Sequence, residues 1–178
     1  TMSKTHTFYK HLCKLTIAIF LPIWLVACGS GSTPADEVGL SSKEVLGKRI
    51  FFDTNLSEPK GMSCASCHNA GAGFVGNNGS AIGVPLGSRP NVFGFKNTPT
   101  ASYAQFTPAF STASGSPIGG HFLDGRANTL AEQAKAPLLS ASEMNNPSKL
   151  AVIEKISAGQ YASLFKKVFG EQSLRDTD

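Results

Sequence analysis

The chain has 178 residues, of which 41% are hydrophobic and 16% charged, a composition that suits one globular domain and excludes a disordered or fibrous chain. Its net charge of +4 overstates its basicity. Lys4, Lys10 and Lys14 lie in the first 27 residues with no acid beside them, so the remainder carries +1 and has no basic footprint for nucleic acid.

Residues 1–27 read as an export signal. The three lysines form a positive n-region, and Leu15 to Ala27 is an uncharged apolar run, short of the roughly 20 residues that a membrane span needs. The run ends in Leu25-Val26-Ala27-Cys28, which resembles the bacterial lipobox, with Cys28 as the thiol that takes a diacylglycerol. A plain secretory signal with a chance cysteine is the competing reading. Gly29 is not the aspartate that retains a lipoprotein in the inner membrane, so a periplasmic body anchored to the outer membrane is expected. Residues 28–42, rich in Gly, Ser and Pro at their start, are expected as a flexible tether.

Ser41-Ser42-Lys43-Glu44 fits a capping box that opens a helix with Val45, Leu46, Ile50 and Phe51 on one face. After a turn-rich stretch comes Cys64-Ala65-Ser66-Cys67-His68, a Cys-x-x-Cys-His run that is the attachment signature of c-type haem. One helical turn between the cysteines lets both sulfurs reach the vinyl groups on one porphyrin edge, and His68 follows as proximal iron ligand. An oxidising compartment permits a Cys64–Cys67 disulfide, but His68 argues against that reading. A thioredoxin-like site wants a βαβ context, and a zinc site wants two more ligands where only His121 remains outside the signal.

From Gly71 to Gly120 the chain is dominated by Gly, Ser, Asn, Pro and Thr, with Phe74, Phe93, Phe95, Phe106 and Phe110 spaced through it. So long a loop is unusual unless a large apolar cofactor orders it. Thr129-Leu130-Ala131-Glu132 is a second capping box, opening a helix to about Leu139. Asn146-Pro147 is read as the N-cap and first position of a helix that turns Leu150, Ile153 and Ile156 inward and stops at Gly159. A last amphipathic helix carries Tyr161, Leu164, Phe165 and Val168 and ends at Gly170. No repeat and no convincing strand is present. The expected fold is mainly α, a cytochrome c-like haem domain with long loops over 43–170, and 171–178 form a tail toward a second haem domain.

The residues around the motif resemble the bacterial di-haem cytochrome c peroxidase family, including the methylamine-utilisation haem enzymes. Leu46-Gly47-Lys48-Arg49-Ile50-Phe51-Phe52-Asp53 with Leu56-Ser57, Asn97-Thr98-Pro99-Thr100, Phe122-Leu123-Asp124-Gly125-Arg126, Leu130-Ala131-Glu132-Gln133-Ala134 and Glu143-Met144-Asn145 follow the family's order. The resemblance implies a peroxidatic haem domain in which Gln133 and Glu143 line the distal face of the haem. A carboxylate there takes the peroxide proton and returns it to the leaving oxygen, while the amide orients the peroxide. From the residues alone, a solvated Gln133 and a loop Glu143 are the favoured readings, and the resemblance reverses that preference. The resemblance also implies that Asn97 helps bind calcium, that Asp124 and Arg126 hold the distal loop, and that the assembly is a homodimer. Expected partners are hydrogen peroxide and a periplasmic electron donor such as a small cytochrome c or a cupredoxin.

Three departures matter. The chain carries one Cys-x-x-Cys-His where the family has two, Leu123 stands where the family has tryptophan, and Ser88-Arg89-Pro90 occupies the place of a distal histidine. An open distal face, and a largely high-spin ferric haem, are therefore expected, with His121 as the one spare histidine. The competing functions are a mono-haem electron carrier and a relative that oxidises a protein or small molecule through a high-valent haem. A carrier usually closes the iron with methionine, for which Met62 is too near the cysteines and Met144 lies beside Glu143.

Overall fold

The computed structural model describes residues 34–175. The signal, Cys28 and the first part of the expected tether lie outside the described residues. Within them the fold is helical: α1 (Ser42–Phe52), the one-turn α2 (Cys64–Cys67), α3 (Leu130–Leu139), α4 (Lys149–Ser157) and α5 (Ala162–Phe169), with short 3-10 turns between. No strand is present among the described residues. Isolated bridges such as Leu86–Phe93 and Ser111–Ile118 pin the long loop instead.

α1 and α3 start as their residues dictate. The Ser41 side chain accepts from the Glu44 amide while the Glu44 carboxylate accepts from the Ser41 amide, closing the capping box of α1. Thr129 and Glu132 repeat the arrangement at α3. The N-terminus of α4 is a correction: Ser148, not Asn146, is its N-cap, accepting from the Ala151 amide at 3.1 Å. Asn146 is unavailable for capping because its side chain is buried and bonded elsewhere. The inward face shifts accordingly, with Val152 and Ile156 buried, Ile153 half-buried and Leu150 exposed.

Within the segment expected as a tether, Ala35–Glu37 form a 3-10 turn. Glu37 is buried and receives two hydrogen bonds from the Arg49 guanidinium of α1, at 3.0 and 2.8 Å, while Asp36 pairs with Lys48. Two ion pairs on successive α1 residues thus dock this turn, a role the Gly-Ser-Pro composition upstream conceals. At the other end, Leu174 of the expected tail is buried in the core.

That core joins Leu46, Leu56, Met62, Met144, Val152, Ile156, Tyr161 and Leu174. It is built where α1 packs on α2 and α5 and where α4 packs on the turn Thr54–Leu56. Full burial of a leucine such as Leu46 or Leu56 contributes roughly 1.5–3 kcal/mol.

One polar group sits inside this apolar layer. The Asn146 side-chain amide donates to Leu56 O at 2.7 Å and to Leu138 O at 2.8 Å, and its oxygen accepts from Lys155 Nζ at 2.8 Å. Lys155 Nζ also donates to Ser57 O at 2.6 Å and to Glu58 Oε2 at 3.0 Å. Four chain segments meet at this pair. Asn146→Ala would strand the Leu56 carbonyl and take one of three acceptors from the largely buried Lys155 ammonium, and a loss of roughly 1–3 kcal/mol in denaturant unfolding is expected. A change within a few tenths of a kcal/mol would show that water replaces the amide at little cost.

Candidate haem-attachment site

The attachment residues form one rigid turn. The Ser66 hydroxyl accepts from the Ser63 amide at 3.1 Å, and the His68 amide closes the turn by donating to Cys64 O at 2.8 Å. Cys64 and Cys67 are free thiols, both half-buried, so the pair is not joined as a disulfide. Burial pushes the Cys64 thiol up. Burial, then the negative charges of Glu143 and Cys64, push the Cys67 thiol up to about 11. Glu143 therefore stands within electrostatic reach of the attachment turn, although 76 residues separate Cys67 from it in sequence.

The tautomer of His68 follows from its partner. Its Nδ1 lies 3.1 Å from Phe74 O, and a carbonyl can only accept, so Nδ1 carries the proton and Nε2 keeps the lone pair that a metal takes. The Phe74 carbonyl is itself aimed by a tight loop: Ala101 N donates to it at 3.2 Å, and Phe74 N donates to Asn69 O at 2.8 Å. Phe74 holds φ +58°, a strained conformation of the kind that clusters at functional sites. Phe51 of α1 braces both rings, 6.0 Å from Phe74 and 6.4 Å from His68 between centroids. Gly76 lets this loop close, because a Cβ there would sit 2.9 Å from Cys67 O.

Glu143 lies in the turn after α3, and its carboxylate forms no hydrogen bond among the described residues. Its backbone is held from two sides. Ser88 N donates to Glu143 O at 2.8 Å, Arg89 donates to Ala141 O at 2.9 Å, and Asn145 donates to Glu58 O at 2.8 Å. Gly87 approaches so closely that a Cβ would meet Ser142 O at 2.5 Å. Ser88 and Arg89 thus act as a brace for the Glu143 turn. Gln133 stands half-buried on α3, and its side-chain amide likewise forms no hydrogen bond among the described residues.

Asn97 is exposed on an open cleft of about 360 Å³ that Val75, Gly76, Asn77, Gly83 and Thr98 also line. Thr98 Oγ1 is buried without a hydrogen-bond partner. No group of three or more His, Cys, Asp or Glu residues that could hold a metal occurs among the described residues. Asp124 and Arg126 pair at 2.8 Å, and the guanidinium lies 3.5 Å over the Phe122 ring. His121 is buried at the base of this loop, bridged through its backbone to Ala127. Met62 and Met144 are both buried in the core.

Sequence reasoning missed the Asn146–Lys155 pair and the close approaches at Gly76 and Gly87. An asparagine before a proline resembles a cap, and two glycines in a glycine-rich run carry no distinguishing signal.

A haem suits what these residues offer. Two free thiols one turn apart and an imidazole with Nε2 available match a porphyrin's edge and iron.

Comparison with known proteins agrees. The family model of di-haem cytochrome c peroxidases matches residues 41–178. The methylamine utilization protein MauG of Paracoccus denitrificans is 35% identical over 93% of this chain and 42% of its own length. Cytochrome c551 peroxidase of Pseudomonas aeruginosa is 35% identical over 70% of this chain and 31% of its own. The crystal structure of the diheme peroxidase BthA from Burkholderia thailandensis superposes with a TM-score of 0.71 at 43% identity, covering 75% of this chain and 33% of that one. The chain therefore spans less than half the length of these relatives. With haem c as the cofactor that the match implies, the chain belongs to the di-haem cytochrome c peroxidase family.

Proposed function

We propose that this chain is the peroxidatic haem domain of such an enzyme, reducing hydrogen peroxide to water with electrons from a periplasmic donor such as a small cytochrome c or a cupredoxin. The observation that carries the reading is the approach of Glu143 to the Cys64–His68 turn. Haem held by Cys64, Cys67 and His68 supplies the redox-active iron. Glu143 is the group that takes a proton from peroxide and returns it to the leaving oxygen. Gln133, on the preceding helix, is the amide that orients the peroxide. The brace from Gly87, Ser88 and Arg89 keeps the Glu143 turn fixed, in place of the distal histidine that others in the family carry there. A mono-haem carrier fits less well, because both candidate methionines lie in the core. Similarity to MauG keeps oxidation of another substrate at the same haem as a related reading.

Asn97 is a candidate calcium ligand, a reading that the partnerless Thr98 hydroxyl beside it supports. Neutral oxygens rather than a carboxylate cluster would form that site. Homodimer formation belongs to the same reading.

Three outcomes are expected. Mass spectrometry of the denatured protein should find one covalent haem per chain, absent when Cys64 and Cys67 are both replaced by Ala; properly matured protein without covalent haem would refute the assignment. Stopped-flow kinetics of Glu143→Gln should show intact haem and a peroxide reaction slowed by roughly 10²–10⁴-fold, the usual share of general acid–base catalysis, with a smaller loss for Gln133→Ala. Unchanged kinetics would leave the haem in place and remove Glu143 from the mechanism. Finally, Cys28 is proposed to carry the lipid that anchors the domain on the periplasmic face of the outer membrane. Cys28→Ala should then release the protein into the soluble periplasm, and a variant that still pellets with membranes would overturn the anchor.

A further inference from the structure

Tyr161 is 5% exposed, yet its phenol is polar and fully engaged, donating to Asp53 Oδ2 at 2.6 Å. Asp53 is held in place independently of the tyrosine. Its Oδ1 accepts from Asn55 N at 2.8 Å and Asn55 Nδ2 at 2.9 Å, which leaves Oδ2 for the phenol. Burial works to raise the carboxyl's pKa, but hydrogen bonds from Tyr161 and Asn55 outweigh it and hold the group below its ordinary range, so it is ionised at neutral pH.

The pair also lies near the attachment turn. α1 ends at the residue before Asp53 and packs on α2, and Tyr161 shares its buried cluster with Met62, two residues before Cys64. Two buried thioethers, Met62 and Met144, share the cluster with Tyr161.

A phenol gives up an electron readily only if its proton leaves at the same time, because the protonated radical cation is a very strong acid. An ionised carboxylate on the phenol oxygen meets that need without water. Tyr103, the other tyrosine among the described residues, is 82% exposed and has no such base.

We propose that Tyr161 and Asp53 form a proton-coupled redox site that supplies one electron to the haem once peroxide has oxidised it. The inference rests on the peroxidatic reading above. In the step, one electron passes from the phenol to the oxidised haem, the Tyr161 O–H bond breaks, and Asp53 Oδ2 takes the proton. The products are a neutral tyrosyl radical, a protonated Asp53 and a haem reduced by one electron. An electron from the protein donor, with the proton returning from Asp53, restores the pair. Peroxide reduction consumes two electrons and a cytochrome or cupredoxin delivers one at a time, so the site stores one oxidising equivalent between deliveries.

The test is freeze-quench EPR, with the Soret band followed in parallel, on the haem-loaded chain mixed with one equivalent of peroxide and no donor. An organic radical signal is expected that narrows when the protein is made with ring-deuterated tyrosine, is lost in Tyr161→Phe and persists in Tyr103→Phe. Tyr161→Phe should keep the peroxide-induced Soret shift, and Asp53→Asn should lower the radical yield. A purely structural hydrogen bond would produce none of these spectral changes. A shifted Soret band without a tyrosyl signal, or a signal that survives in Tyr161→Phe, overturns this proposal alone. A Soret band that peroxide leaves unmoved overturns the peroxidatic reading and this proposal with it.

Discussion

The buried amide of Asn146 ties together two parts of the chain that the proposed chemistry requires side by side. Its two N–H groups bond the carbonyls of Leu56 and Leu138, and its oxygen takes the Lys155 ammonium. Leu56 belongs to the turn that leads into Cys64 and Cys67, and Leu138 to the end of the helix that leads into Glu143. Without the Asn146 amide, Leu56 O would be a buried carbonyl lacking its hydrogen bond, which costs more than the bond gains. Other residues refine this junction: Asn145 and Ser88 both donate to Glu58 O, so the turns bearing Glu58, Ser88 and Glu143 share one acceptor.

Around His68 the logic is different. There the constraint is orientation, and it is met by backbone. The carbonyl of Phe74 selects the His68 tautomer, and the loop that presents it is closed by Gly76 against Cys67 and by the Thr100 hydroxyl on Gly73 O at 2.6 Å. A strained Phe74 is tolerated because hydrogen bonds on either side over-determine it. The long loop from Gly71 to Gly120 is thus organised by turns and isolated bridges rather than by an apolar core, and it leaves Phe95, Tyr103 and Phe106 largely exposed.

Polar residues in the core carry separate duties. Lys155 and Asn146 hold the architecture, whereas Asp53 and Tyr161 place an ionised carboxylate and a phenol beside the attachment turn. Apolar side chains in place of Asn146 and Lys155 would leave the Leu56 and Ser57 carbonyls without these donors, whereas Tyr161 and Asp53 are joined to each other by a single side-chain bond.

The sequence by itself determined what depends on neighbours within one turn. The capping boxes at Ser41 and Thr129, the spacing of Cys64, Cys67 and His68, and the apolar face of the last helix are local patterns, and each is found where the residues indicate. Tertiary structure decided what depends on partners far along the chain. Asn146 reads as a helix cap until Leu56, 90 residues away, claims its amide. The segment after Pro34 reads as tether until Arg49 binds Glu37. Glu143 is one carboxylate among many until folding brings it toward Cys67, because electrostatic proximity across 76 residues leaves no periodicity in the sequence.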